Sequence, residues 1–377
     1  MDKVEHVTVQ TMYLGDFDCY NAPSLATSAI LHHTVTNQHF GLTPRAAHMT
    51  QPAVVLLIFN RPDVTARTFA AVRAARPGRL LVVADGPRPE RRGEAELCAR
   101  TRSVIDGVDW PCEVLRNFSD ANMGCGRRVA SGLDWAFDQV EEAIILEDDC
   151  LPDLSFFQYC GELLERYRTY ERIMMIAGNN WQNGTRRTPY SYYFSQAAQG
   201  IWGWATWRRA WRHYDFTMHD WHQRRDRSLI GAVTNSWTLE RIWASWFDSV
   251  PKFDTWDYQW MYCLYARKGL SIVPEVNLVT NIGIGHPTAA HTVTRNDHLV
   301  VPSRAMEFPL RHPDRVAPCV KADQFELAYI YNLLPPRVIL WKRIRRPLLF
   351  ILQLTQPLLE RAGVWGHLRA LAIKLRV

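Results

Sequence analysis

The stretch Ala143-Ile144-Ile145-Leu146-Glu147-Asp148-Asp149 decides the fold. A short apolar run that stops abruptly in three carboxylates reads as a buried strand whose carboxyl end reaches a polar surface. Burying unpaired carboxylates costs too much free energy for the run to continue as core. The same punctuation recurs upstream. AVVLLIF (53–59) runs into Asn60-Arg61-Pro62-Asp63, LLVVAD (80–85) into Gly86-Pro87, and CEVLRNF (112–118) stands ahead of Asn122-Met123-Gly124-Cys125-Gly126-Arg127. Between these runs lie helical patterns. One opens at Pro62, with Val64, Phe69 and Val72 on one side; a charged one spans 90–106; a third spans 126–140, with Val129, Leu133, Ala136, Phe137 and Val140 on one face. Proline in a first turn favours the helix start. Strands alternating with such helices predict an α/β fold with a doubly wound, mostly parallel sheet. In open sheets of this kind ligands bind at the carboxyl ends of the strands. Chemistry is therefore expected just after residues 59, 85, 118 and 147.

Outward from this block the pattern changes. Residues 1–51 are polar and weakly periodic and read as an N-terminal extension of low order. Residues 52–180 carry the alternating block. Residues 181–300 form a second half built on aromatic packing, since 181–260 hold 11 of the 15 tryptophans. One or two short strands are expected in 271–283. Residues 301–377 form a basic amphipathic C-terminal extension.

With 377 residues, 47% hydrophobic and 22% charged, the chain is neither collagen-like, low-complexity nor wholly disordered. A net charge of +6 is too mild to imply nucleic acid. The surplus is local: residues 337–377 carry nine Lys/Arg against one acid, leaving the remainder at −2 (6 minus 8). That tail mixes cations with Leu, Ile, Trp341 and Trp365. It reads as a solvated basic face or as a segment drawn to an anionic membrane surface. Its apolar run 347–359 is too short for a bilayer span, which needs about 20 residues. Eight cysteines include no C-x-x-C pair, which argues against structural zinc and for reduced thiols in a cytoplasmic protein. Residues 1–20 lack a basic flank followed by an apolar run, so no signal peptide is expected.

Each candidate motif has a plain reading beside a chemical one. Glu147, Asp148 and Asp149 repel one another, and a hard divalent cation, Mg²⁺ or Mn²⁺, would relieve that repulsion; the plain reading is a solvated strand-end turn. Asp85 is either a turn acid or an acceptor for a nucleotide base or ribose. Arg61 is a surface arginine or a partner for phosphate or carboxylate. The glycines of 122–127 complete neither a dinucleotide fingerprint nor a P-loop, but a helix starting there can face an anion. Asp257, set between Trp256 and Tyr258, is a helix cap or a desolvated general base. His286 and His291, in a glycine-rich loop, are loop residues or nitrogen ligands. Trp202, Trp204 and Trp256 are core stacking or a sugar-binding platform.

Taken in order, the motifs NRP, ADG, N-x-G, EDD, WGWATW, WDYQW and NIG…H resemble nucleotide-sugar-dependent glycosyltransferases of the GT-A fold. They are similar to the N-acetylglucosaminyltransferase I family and to bacterial family 2-like transferases over about residues 52–295, most specifically in LEDDCLPDLSFFQY. The resemblance implies a metal-dependent, cytoplasmic, inverting transferase moving a hexosyl or N-acetylhexosaminyl unit from a nucleotide-diphosphate sugar. The acceptor would be a glycan or glycolipid of surface polysaccharide assembly, with peripheral membrane contact through the tail. It implies that Asp149 holds Mn²⁺ or Mg²⁺, with His291, or else His286, meeting the metal or diphosphate from the far side. Asp148 would contact the ribose, Glu147 the donor sugar, Asp85 the base and Arg61 the nucleotide; Asp257 would be the catalytic base. WDYQW lacks the adjacent acid pair of the eukaryotic relatives, and the chain lacks their membrane anchor. A non-catalytic carbohydrate-binding protein and a metal-dependent nucleotidyltransferase stand as the alternatives.

Overall fold

The computed structural model describes residues 52–197, 200–226, 229–234, 237–286 and 299–330. The expectations for residues 1–51, for His291 and for the basic tail lie outside the described residues.

The alternating block folds as β1 (Ala53–Ile58), α1 (Pro62–Ala75), β2 (Arg79–Ala84), α2 (Glu94–Ser103), β3 (Glu113–Phe118), α3 (Cys125–Gln139) and β4 (Glu142–Glu147). Pro62 starts α1 with Asp63 in its first turn, and Arg76 ends it in the left-handed conformation. The chain continues through β5 (Cys150–Pro152), α4 (Ser155–Arg166), β6 (Ile173–Ala177), β7 (Tyr192–Ser195) and β8 (Trp204–Trp207). The helices α5 (Arg208–Trp211), α6 (Trp221–Arg225), α7 (Leu229–Thr234), α8 (Trp237–Ser249) and α9 (Asp257–Arg267) follow. Then come β9 (Leu270–Pro274), β10 (Val279–Asn281) and α10 (Val320–Ile330).

Eight strands form one mixed sheet in the order β3-β2-β1-β4-β8-β6-β9-β7. Six run in one direction; β8 and β7 run against them. The α/β expectation is met, with a difference at β8. The crossover through α4 sets β6 down beyond β4's neighbour position, and the later strand β8 fills the vacated slot antiparallel to both. A separate pair, β10 with β5, places Asn281 opposite Cys150, directly after the acidic run.

Both faces of the sheet are covered, as its nearly unbroken apolar strands require. On one face Val54, Leu56, Leu80, Val82, Ile144 and Leu146 meet Phe69 of α1 and Phe156 and Leu163 of α4. On the other, Val55, Leu57, Leu81, Val83 and Ile145 meet Val129, Leu133 and Phe137 of α3 and the aromatic cluster. Trp204 is 1% exposed and lies 5.6 Å from the rings of both Trp256 and Trp260. Trp256 is 3% exposed. The platform expectation is thus corrected for Trp204 and Trp256: both are closed inside the core, because β8 is an interior strand. Trp202 is half-buried and meets Trp181 edge-on at 5.4 Å. Among the described residues no helix is long and apolar enough to cross a membrane, and the seven described cysteines are free thiols.

Candidate functional site

Parallel pairing of β1 with β4 sets Leu57 beside Glu147, so the chain leaving β1 and the chain leaving β4 emerge together. Arg61 reaches across that gap. Its Nε donates to Asp148 Oδ2 at 3.0 Å, a terminal nitrogen donates to Asp148 Oδ1, and the same nitrogen lies 3.0 Å from Asp149 Oδ2. The Arg61–Asp148 pair is largely withdrawn from water, with side chains 14% and 6% exposed. A two-pronged contact between a guanidinium and a carboxylate fixes direction as well as charge. Thr68 of α1 donates its hydroxyl to the Asp148 carbonyl at 2.7 Å, which anchors the turn. Arg61, expected at the nucleotide, is therefore a built-in counter-ion to the acids.

Arg61 does not neutralise the run. Glu147 accepts no side-chain hydrogen bond among the described residues and stands half-buried. Burial first, then Asp149 and Asp148, push its pKa far above the usual carboxylate range, Asp257 adds to the push, and Arg61 opposes it. Asp148 also rises through burial, with Arg61 opposing. The loop after β10 closes over the acids: Ile282 N–H donates to the Asp149 carbonyl at 2.8 Å. At Gly283 a side chain would begin 2.1 Å from Asp149 Oδ2, so only glycine allows this approach. His286 Nε2 then lies 3.5 Å from Asp63 in the first turn of α1, and it opposes, less than Arg61 does, the upward push on Asp148.

Asp85, at the end of β2, has the place of the turn acid that is one of its two sequence readings. Its two oxygens accept from Gly86 N–H (2.9 Å), Met123 N–H (2.9 Å), Gly124 N–H (3.1 Å) and Asn122 Nδ2 (3.0 Å). A carboxylate has about four acceptor sites, so those of Asp85 are spent on shaping the loop between β3 and α3. Burial still lifts its pKa against these bonds.

That loop delivers the start of α3, and the anion it faces is Asp254. Cys125 N–H and Gly126 N–H donate to the two oxygens of Asp254, each at 2.8 Å. Gly124 has φ near +81°, and a side chain there would begin 2.5 Å from Asp254. Asp254 is not among the residues the sequence singles out. The signal that marks it is the spacing of two acids in Asp254-Thr255-Trp256-Asp257 opposite a glycine-flanked helix start. Thr255 donates its hydroxyl to Asp257, the first residue of α9, and no side-chain cap bond closes that helix start. The Cys125 thiol is pushed well up by burial, then by the charges of Glu147, Asp254, Asp257 and Asp148.

The structure therefore gathers Arg61, Glu147, Asp148, Asp149, Asp257 and His286 at the carboxyl edge of the sheet, with Asp85 beneath the adjoining loop. Among the described residues no closed set of three His, Cys, Asp or Glu ligands is present. Magnesium-type sites are commonly completed by one or two carboxylates plus substrate phosphates, and an uncompensated carboxylate at Glu147 beside Asp149 fits such a hard cation. Two cavities among the described residues, of about 470 and 280 Å³, are lined by other residues. No family model and no curated protein matches the chain.

Proposed function

We propose that the chain is a glycosyltransferase of the GT-A type, moving a sugar from a nucleotide-diphosphate donor to a hydroxyl of a glycan or glycolipid. The observation that carries this reading is the meeting of Glu147–Asp149 with Asp257 at the carboxyl edge. One acidic run is suited to a cation and phosphates; a separate acid on another element is suited to a proton. The strand order β3-β2-β1-β4, with the acids directly after β4, supports the fold assignment.

Asp149 and Glu147 would hold Mn²⁺ or Mg²⁺, which supplies Lewis-acid stabilisation of charge on the leaving phosphate oxygens. Arg61 fixes the direction of Asp148 and lies against Asp149 as their counter-ion. Asp85 keeps the loop 122–124 in shape next to the nucleotide. Asp257, steadied by Thr255, takes the proton of the acceptor hydroxyl as that oxygen attacks the anomeric carbon. A single base acting opposite the departing nucleoside diphosphate gives inversion.

The test is a thermal-shift panel of nucleotide sugars, each with Mn²⁺ and with chelator. At a hundredfold excess over Kd, one donor should raise Tm by about 5 °C, and only with the cation. Stabilisation by free sugar without nucleotide or cation would make the chain a carbohydrate-binding protein. Turnover of a nucleoside triphosphate with pyrophosphate release would make it a nucleotidyltransferase.

A further inference from the structure

The carboxyl edge continues past the acidic run. β6 and β9 point the same way as β1 and β4, so Asn180, beyond the end of β6, and Glu275, directly after β9, lie on that edge too. Beside them is the cavity of about 280 Å³, lined on another side by residues of 301–311. Its walls are tied together. Arg304 N–H donates to the Asn277 carbonyl at 2.7 Å, Arg311 N–H to Ser191 Oγ at 2.9 Å, and Glu275 N–H to the Ser191 carbonyl at 2.9 Å. The volume lies just below the range of drug-sized ligand sites, about 300–1,000 Å³, and suits a single small sugar.

Its charged lining is unusual. The Glu275 side chain is only 10% exposed. Its Oε1 accepts Arg187 N–H at 3.1 Å and lies 3.7 Å from Arg186, while Oε2 is buried without a partner. Such an unsatisfied atom needs a group that completes it. Arg304 and Arg311 also line the cavity, together with Glu307, all three at exposed positions, and among the described residues no carboxylate lies within ion-pair distance of either arginine. Arg186, by contrast, is held by the carbonyls of Thr188 and Pro189. A ligand that satisfies this lining offers hydroxyls to Glu275 and an anion to Arg304 and Arg311.

We propose that this cavity is a distal acceptor subsite and takes an acidic saccharide of the hexuronate class, an assignment that rests on the transferase reading above. Its placement fits. Asn277 lines the cavity, and Gly283, six residues on, lies against Asp149. Six residues of chain span at most about 22 Å, so one acceptor chain can occupy the cavity while its far end reaches the acids.

The full chain is titrated calorimetrically with glucuronate, glucose and acetate, without nucleotide or cation. Glucuronate should saturate, with glucose and acetate at least tenfold weaker. Glu275→Gln should weaken glucuronate at least fivefold. Arg304→Ala with Arg311→Ala, both at exposed positions, should abolish the preference for glucuronate over glucose, and this pair decides the matter if Glu275→Gln lowers Tm. Acetate binding as tightly as glucuronate, or variants that change nothing, would overturn the subsite. A tetrasaccharide of alternating glucuronate and N-acetylglucosamine should bind at least fivefold tighter than glucuronate alone; equal affinity would mark a site for a free sugar acid and overturn the acceptor assignment. Lost uronate binding beside an intact cation-dependent donor shift removes the subsite and leaves the transferase. A missing donor shift beside intact uronate binding removes the transferase reading, and the acceptor assignment with it.

Discussion

Arg61 shows how a single side chain sets the electrostatics of the edge. It is the cation that the structure supplies to Asp148 and Asp149, and removing it leaves buried like charges facing one another. Arg61→Ala should cost about 3 kcal/mol of stability, measured by denaturant unfolding, and Mn²⁺ should recover more of that loss in the variant than it adds to the parent. Equal gains in the two proteins would mean the cation is not held by these acids. Asp257→Asn should keep the cation-dependent donor shift and slow transfer by about 10²–10⁴-fold, read by release of nucleoside diphosphate; loss of donor binding alone would remove Asp257 from proton transfer. The acids of this site were legible in the sequence because carboxylates cannot continue a buried apolar strand and so mark where it meets a polar surface. The partnerships were not. That Arg61 pairs with Asp148, that Asp85 serves a loop, and that Asp254 seats the start of α3 all depend on residues between 37 and 129 positions apart, a separation that local pattern does not reveal.

At the level of elements, β1 to β4 and the three helices between them fall within a few residues of their expected bounds, because β1, β2 and β4 are apolar runs closed by Asn, Gly or an acid, while the more polar β3 is marked by its place between two helical patterns. β6, β7 and β8 are not evident from the sequence. In the aromatic half the residues that favour a strand, Trp, Tyr and Phe, are also those that fill a core, so Trp204-Ala-Thr-Trp207 offers no period to read. The structure separates two roles for Trp204 that its sequence context leaves open. As an interior residue of β8, Trp204→Ala should destabilise the protein by about 3–5 kcal/mol, seen as a fall in Tm of at least about 6 °C. A sugar platform would instead lose saccharide binding with Tm unchanged.

Across the whole molecule, two acids outside the run Glu147–Asp149 tie stability to pH. Burial pushes Glu275 up to about 7 and Asp323 up to about 6, the latter opposed by the Ser195 hydroxyl and Gln196 N–H. Both bind a proton more readily folded than unfolded. Their contribution to stability is complete below about pH 4 and is lost as pH rises through 6 and 7. Tm should therefore decline between about pH 4 and 7, and Glu275→Gln should flatten the upper part of that decline; a slope unchanged in the variant would show that Glu275 ionises freely in the fold. The α/β class was legible at this scale, since it follows from alternation alone. The mixed sheet was not, because nothing in the local pattern of β8 says which neighbours it will join.

The late arrival of β8 has a bearing on synthesis. Until residues 204–207 leave the ribosome, β4 lacks its partner β8, and a growing polypeptide that stops short of them presents a bare row of amides and carbonyls. Such an edge recruits other strands, and pairings made so late in a chain close slowly. The carboxylates that follow β4 stand at the end of that row, and their mutual repulsion discourages a second nascent copy from zipping onto it.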